Sequence, residues 1–299
     1  VSAAGRAPRR PLTVWLQHVL PQHALSRCVL AATRVRTPWF KNLITRMFLA
    51  GFALEMAEAR ESDPYRYGSF NELFTRALRP EARPIAAAPD LIAAPVDGTV
   101  SECGGIEDDR LLQAKGHTYT LADLLAGQPW AARFVGGAFA TLYLAPTDYH
   151  RIHMPLDGRL LETVYVPGRL FSVNGRAVEH VPRLFARNER VLTLFEGPGG
   201  QFALVLVGAL NVGSISTVWA GDITPAARRE VTRLPPAPVE LRKGEEMGRF
   251  NMGSTVILLL EPKRARWAAD LQAGARVRVG QSIGSLMPAL DGVIAGGSR

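Results

Sequence analysis

From about residue 91 the chain consists of short apolar runs separated by Gly and Pro. Phe139–Ala145, Leu161–Val166, Val191–Phe195, Phe202–Val207, Val212–Trp219 and Thr255–Leu260 are each five to eight residues long. Runs of that length, rich in β-branched and aromatic residues, predict strands rather than core helices, so this part of the chain is confined to a many-stranded β architecture. Thr120–Ala126 reads as a short helix, and Trp267–Leu271 as a second one. Pro235-Pro-Ala-Pro238 is a stiff connector rather than a domain boundary. Near the C-terminus Gly244-Glu-Glu-Met-Gly248 echoes Gly280-Gln-Ser-Ile-Gly284, a pattern that suits turns in a compact β-sandwich.

Residues 11–60 have a different texture. Pro11 suits a first helical position, and Leu12, Trp15, Leu16, Val19 and Leu20 follow at three- and four-residue steps. A second helix is predicted from about Gln22 to Arg34. A third follows Pro38, with Trp39, Phe40, Leu43, Ile44, Met47, Phe48 and Phe52 on one side and Lys41, Asn42, Thr45 and Arg46 on the other.

The net charge of +8 belongs to the N-terminal segment that includes these helices. Val1–Leu54 holds eight basic residues and no acidic one; the other 245 residues hold 27 of each sign. A general nucleic-acid binder, basic throughout, is therefore disfavoured. Apolar helix faces opposite Arg and Lys suit an anionic membrane interface, although packing of those faces on the core, or an organellar transit peptide, would give the same pattern. On the membrane reading Arg34, Arg36, Lys41 and Arg46 are the expected lipid contacts. Two cysteines, Cys28 and Cys103, exclude a disulfide framework and a Cys-rich zinc site. No apolar stretch reaches the roughly 18 residues of a spanning helix.

Chemistry could reside at three places. Asp97 stands in Pro95-Val-Asp97-Gly98, where an ordinary β-turn is the plain alternative. His150 and His153 lie in Asp148-Tyr-His-Arg-Ile-His153-Met-Pro155 after a strand, and no third ligand accompanies them, so a metal site is not expected. Ser254 follows Gly253 at the entrance to the run Val256–Leu260. Together Asp, His and Ser form the inventory of a serine activated by an oriented histidine, a set that any large chain contains. Gly-x-Ser-x-Gly, phosphate-loop and Gly-x-Gly-x-x-Gly patterns are absent.

Read in order, the blocks around these residues resemble the phosphatidylserine decarboxylase family in its bacterial proenzyme form. They are Ser69-Phe-Asn-Glu-Leu-Phe-Thr-Arg76, Arg83-Pro-Ile85, Ala94-Pro-Val-Asp-Gly98 and Gln113-Ala-Lys-Gly-His-Thr-Tyr119. Tyr143-Leu-Ala-Pro-Thr-Asp-Tyr-His-Arg-Ile-His-Met-Pro155 is the most diagnostic. Val166–Asn174, Asn188-Glu-Arg190, Val207–Gly213 and Gly244–Thr255 complete the set, with Met252 where Leu is usual before Gly-Ser-Thr. The likeness spans about Leu12 to Met287, so the helices belong with the enzyme.

The resemblance implies an α+β fold in which N-terminal amphipathic helices precede a β-rich sandwich or barrel-like catalytic body, divided as 1–60 and 61–299. It implies a self-processing enzyme that cuts between Gly253 and Ser254, and whose cofactor is a pyruvoyl group made from Ser254. Asp97 is then expected to orient His153, His153 to take the Ser254 proton, and His150 to supply a proton after decarboxylation. Gly253 is expected to permit a crowded, strained approach to the scissile carbonyl. The implied partners are phosphatidylserine and an anionic phospholipid membrane, with no nucleic acid. After the cut the two chains would stay paired as an α/β heterodimer, with further dimerisation left open. The implied location is peripheral, on the cytoplasmic face of a bacterial inner membrane. Two alternatives stand beside this: a pyruvoyl decarboxylase of a soluble amino acid, and a non-catalytic β-sandwich binding module. A zinc hydrolase using His150 and His153 is a third class.

Overall fold

The computed structural model of the chain describes residues 17–114, 116–210, 214–224 and 229–287. Two helices lead, α1 (Gln22–Thr33) and α2 (Pro38–Gly51), followed by the single-turn α3 (Phe70–Phe74). The body then contains β1 (Leu91–Ala93), β2 (Gly98–Gly105), β3 (Arg110–Ala114), β4 (His117–Thr120), α4 (Leu121–Leu124), β5 (Ala138–Tyr143), β6 (Arg151–His153) and β7 (Gly158–Val166). After α5 (Gly175–His180) and α6 (Leu184–Arg187) come β8 (Arg190–Gly197), β9 (Gly200–Val207), β10 (Ile215–Thr217), β11 (Gly221–Asp222), β12 (Thr232–Arg233), β13 (Glu240–Leu241) and β14 (Glu246–Phe250). The last strands are β15 (Thr255–Leu260), β16 (Ala265–Trp267), β17 (Arg276–Val277) and β18 (Ser282–Leu286).

The largest sheet runs β12-β7-β8-β9-β15-β5-β2-β17, with β13 also on β7. Strand β15 sits inside it, antiparallel to β5 on one side and β9 on the other over all six of its residues. Side chains alternate across a strand, so a run apolar at every position serves two cores. Ile257 and Leu259 join Phe134, Phe171 and Phe185 on one face. Val256, Leu258 and Leu260 join Ile152, Met247 and Phe250 on the other. Short helices and the β3–β4 hairpin cover the first face. The second is covered by two small sheets, β11-β10-β14-β6 and β1-β18-β16. The sheets stay open, so the body is layered and not a closed barrel.

The C-terminal echo has a physical counterpart. Gly244 and Gly280 both adopt φ near +85° and +83°, and a Cβ on either would strike Ile85 at 2.7 and 2.6 Å. Two turns thus clasp one isoleucine and feed β14 and β18, whose Met247 and Ile283 enter the same core. Trp267–Leu271 is not a helix: Trp267 ends β16 and the rest is a turn.

The helical part is turned opposite to the ordinary amphipathic arrangement. Gln22, Ser26 and Thr33 are the buried residues of α1, and Lys41 and Thr45 those of α2. The apolar side faces outward, with Trp39 70% and Met47 67% exposed and Leu25, Leu43 and Phe52 also exposed. Only Ile44 and Phe48 pack inward, against Phe70, Leu73 and Phe74. Polar contacts fasten the helices to the body. Gln22 Oε1 accepts the Leu170 N–H (2.9 Å), His23 Nε2 donates to the Gly168 carbonyl (2.9 Å), and Lys41 Nζ donates to the Tyr65 carbonyl (2.7 Å). Arg34 pairs with Asp222 (2.6 Å) and Arg36 with Glu72 (3.0 Å). Three of these four expected lipid-contacting cations are therefore engaged within the protein; the fourth, Arg46, is exposed and in no ion pair among the described residues. Leu12, Trp15 and Leu16 lie outside the described residues.

Candidate active site

Ser254 stands where the chain enters β15. Its carbonyl accepts the Leu144 N–H (2.9 Å), which fixes the backbone, while its fully buried Oγ has no hydrogen-bond partner among the described residues. A buried hydroxyl left unsatisfied costs about 1–3 kcal/mol, which is why such groups concentrate at reactive sites. On the other side of Gly253, the Asn251 amide and side chain are held by the Ser214 carbonyl (2.8 Å), Asn71 (3.0 Å) and Ser216 (2.8 Å). Pinned at both ends, the segment bends at Met252, whose φ of +143° lies in a region glycine tolerates and methionine does not. The strain therefore sits one residue before the expected position. At Gly253 a Cβ would make ordinary contacts, 3.5 Å from the Leu144 carbonyl and 3.7 Å from His150 Nε2.

His150 is completely buried. Its Nδ1–H donates to the Asp148 carbonyl (2.8 Å), which leaves the lone pair on Nε2, and Nε2 has no partner. The Phe74 ring packs against the imidazole, tilted, with centroids 4.1 Å apart. That phenylalanine is presented by α3, which the Ser69 Oγ cap on the Glu72 N–H starts (3.2 Å). Burial pushes the His150 pKa down to about 4, against smaller opposing effects of the Asp148 carbonyl and carboxylate. At neutral pH the imidazole is thus an uncharged base facing Gly253.

His153 is placed differently. Its Nδ1–H donates to the Gly244 carbonyl (2.7 Å), and its Nε2 accepts from the Tyr149 hydroxyl (3.2 Å). Burial lowers its pKa too. Among the described residues Asp97, expected to orient His153, makes no hydrogen bond to it. The Asp97 carboxylate accepts Arg83 Nε at 2.9 and 3.1 Å and the Val279 N–H at 2.8 Å, and Arg83 continues to Glu58 (2.8 Å). The physical reason is reach: Asp97 lies on a segment that meets β6 through backbone, the His153 N–H donating to the Pro95 carbonyl, while its side chain turns to the arginine. Asp97 still acts on both imidazoles through its charge, favouring their protonated forms.

A cavity of about 310 Å³ opens onto Gly253, walled by Phe48, Phe52, Phe74, Leu144 and Met252. It runs from the C-terminal end of α2, at Phe48 and Phe52, to Met252 and Gly253. Sequence reasoning missed Arg83, Tyr149 and the carbonyl of Asp148, although all three lie inside quoted blocks. Among the described residues no cluster of His, Cys, Asp and Glu could hold a metal ion, and no helix is long and apolar enough to cross a membrane.

A family model described as phosphatidylserine decarboxylase matches residues 70–285, and one described as PSD matches 12–53. The chain is 50% identical over 285 residues to a phosphatidylserine decarboxylase proenzyme of Pseudomonas fluorescens, covering 94% of this chain and 99% of the relative. It is 52% identical to the proenzyme of that name from Nitrosococcus oceani, over 92% and 91%. The one from Alkalilimnicola ehrlichii is also 52% identical, over 90% and 93%.

Proposed function

The chain belongs to the phosphatidylserine decarboxylase family, and from that premise we propose that it cuts itself at Gly253–Ser254 and converts phosphatidylserine to phosphatidylethanolamine and CO₂ at a membrane surface. One observation carries this reading: two buried polar atoms without partners, Ser254 Oγ and His150 Nε2, lie about Gly253 beside an apolar cavity.

In the first step a base takes the Ser254 Oγ proton and the oxygen attacks the Gly253 carbonyl. The Gly253–Ser254 C–N bond breaks, leaving an ester and a free Ser254 amine. Removal of the Ser254 Cα proton then expels the Gly253 carboxylate from Cβ, and the resulting dehydroalanine takes up one water and releases ammonia to give pyruvoyl. The strain at Met252 favours the first step, because the peptide on its far side is released from its constraint when the bond breaks. The products, 1–253 and 254–299, would stay assembled as an α/β heterodimer. Strand β15 is enclosed between β5 and β9, and β17 and β18 pair with β2 and β1.

The residues present fit a pyruvoyl group at position 254, since the serine it would replace spends no side-chain hydrogen bond on the fold. When formed, that group supplies an electron-withdrawing carbonyl that takes the substrate amine and accepts the electrons left by CO₂. Neutral His150 is suited to accept the proton that the substrate ammonium must shed and to return it, at Nε2, to carbon. His153 is assigned to the Ser254 proton by the family resemblance. For that role its Nε2 must exchange Tyr149 for Ser254, and Asp97 assists through its field.

The membrane component of the proposal, with 1–60 as the membrane-associating segment, is supported by the outward apolar side of α1 and α2, which also favours a lipid over a soluble amino acid. Its peripheral attachment to the cytoplasmic face of an inner membrane is carried over from the resemblance.

Intact mass of the purified chain tests the reading. Wild type should resolve into 1–253 and 254–299, the latter reacting with hydroxylamine at its N-terminal carbonyl, while Ser254→Ala stays whole. An uncut wild type that still decarboxylated phosphatidylserine would overturn it.

A further inference from the structure

A second cavity, of about 450 Å³, is lined by Thr147, Asp148 and Tyr149 and by four arginines. Three of them have carboxylate partners. Arg83 holds Asp97 and Glu58, Arg276 holds Asp148 (2.7 Å) and Arg278 holds Glu58 (3.0 Å). Arg76 has none. It is only 4% exposed, its Nη2 makes one bond to the Thr147 carbonyl at 3.3 Å, and its Nε has no partner.

A guanidinium cannot escape burial by losing its proton, because it stays charged at any ordinary pH. A buried charge without a counter-ion costs several kcal/mol and persists where something outside the fold compensates it. The neighbouring acid, Asp97, favours the Arg76 charge only through its field, because both its oxygens are hydrogen-bonded by Arg83 and the Val279 N–H. Glu55, the other carboxylate of the cavity outside these pairs, is exposed and accepts the Ala57 N–H (2.9 Å). Gln281 lines the same space, and its side-chain amide makes no donated bond among the described residues.

We infer that this cavity is an oxyanion site, in which Arg76, seconded by the Gln281 amide, receives a phosphate group. The group comes either from the headgroup of a phospholipid or from free inorganic phosphate. The lipid source rests on the function proposed above; the free anion does not.

The uncut Ser254→Ala chain suits the test, since its binding is independent of how Ser254 reacts. Titration calorimetry with inorganic phosphate, and separately with glycerophosphoethanolamine, should show one saturable site. Tighter binding of the ester assigns the site to a lipid headgroup, and equal or tighter binding of phosphate assigns it to the free anion. Arg76→Met should weaken either by about tenfold or more, the loss expected for a charge-assisted, forked contact. It should also raise the melting midpoint without anion, because an uncompensated buried charge is removed. Arg76→Lys keeps the charge without the fork and should bind at an intermediate level, which keeps the test intact if Arg76→Met fails to fold. No saturable binding of either probe, or undiminished binding by the variants, overturns the inference.

Discussion

Nε2 of His150 lies 3.7 Å from where a Cβ on Gly253 would stand, close enough to touch it without clashing. Glycine at this position is therefore not demanded by space in the uncut chain, and its φ is not in the left-handed region. Gly253→Ala should fold with a stability change within about 1 kcal/mol. The added methyl narrows the space about the scissile carbonyl that the Ser254 oxygen must enter, so the self-cut should slow by about tenfold or more. A denaturing-gel time course beside a melting curve checks both halves; equal cleavage rates would mean that this approach is not used.

The two histidines should separate by phenotype. His153→Ala should remain whole. His150→Ala should cut at the normal rate and then lose decarboxylation by about 10²–10⁴-fold, the usual scale for a positioned acid–base group. The free Nε2 of His150 beside Gly253, and the Tyr149 bond on His153, make the opposite outcome informative as well. If His150→Ala stayed whole and His153→Ala cut, the two roles would have to be exchanged.

His150 also ties stability to pH. Its ordinary pKa is 6.5, and in the fold it is about 4. Between those values the unfolded chain binds more protons than the folded one, so stability falls as pH drops from 6.5 to 4 and is unaffected above that window. The full loss amounts to about 3 kcal/mol, and the depressed pKa of His153 acts in the same direction. In the Ser254→Ala background, His150→Gln should flatten the acid limb of a urea-midpoint profile between pH 7 and 4.5. An unchanged limb would mean that His150 is not buried as a neutral group.

Strand β15 was legible from its sequence because Val256–Leu260 is apolar at every position, as an interior strand requires. The Ser254 hydroxyl was legible only through the blocks around it, since nothing local distinguishes Gly-Ser at a strand entrance from a turn. Partnerships were not legible. The Arg83–Asp97 pair spans 14 residues and Asp97–Val279 spans 182, and no periodicity encodes contacts between loops. The orientation of α2 was also hidden: one stripe of Phe and Trp against one of Lys and Thr looks the same whichever side faces the core. Lys41 turned inward because the Tyr65 carbonyl was there to receive it.

That inward turn changes which residues should govern membrane binding. Replacing Arg34, Arg36 or Lys41 removes contacts to Asp222, Glu72 or Tyr65 and so should loosen the helices on the body before it affects lipid. Arg27 and Arg46 are exposed and in no ion pair among the described residues, and Trp39 and Met47 carry most of their surface in solvent. Burying a large apolar side chain in an interface contributes about 1.5–3 kcal/mol. Trp39→Glu with Met47→Glu should therefore weaken flotation with phosphatidylserine-containing vesicles by at least about a hundredfold, while the self-cut and the melting midpoint stay near wild type. Arg27→Gln with Arg46→Gln should lower binding less, and mainly at low salt, because exposed charges are screened. Should the double Glu variant float as wild type does, the outward apolar side would have to serve something other than a bilayer.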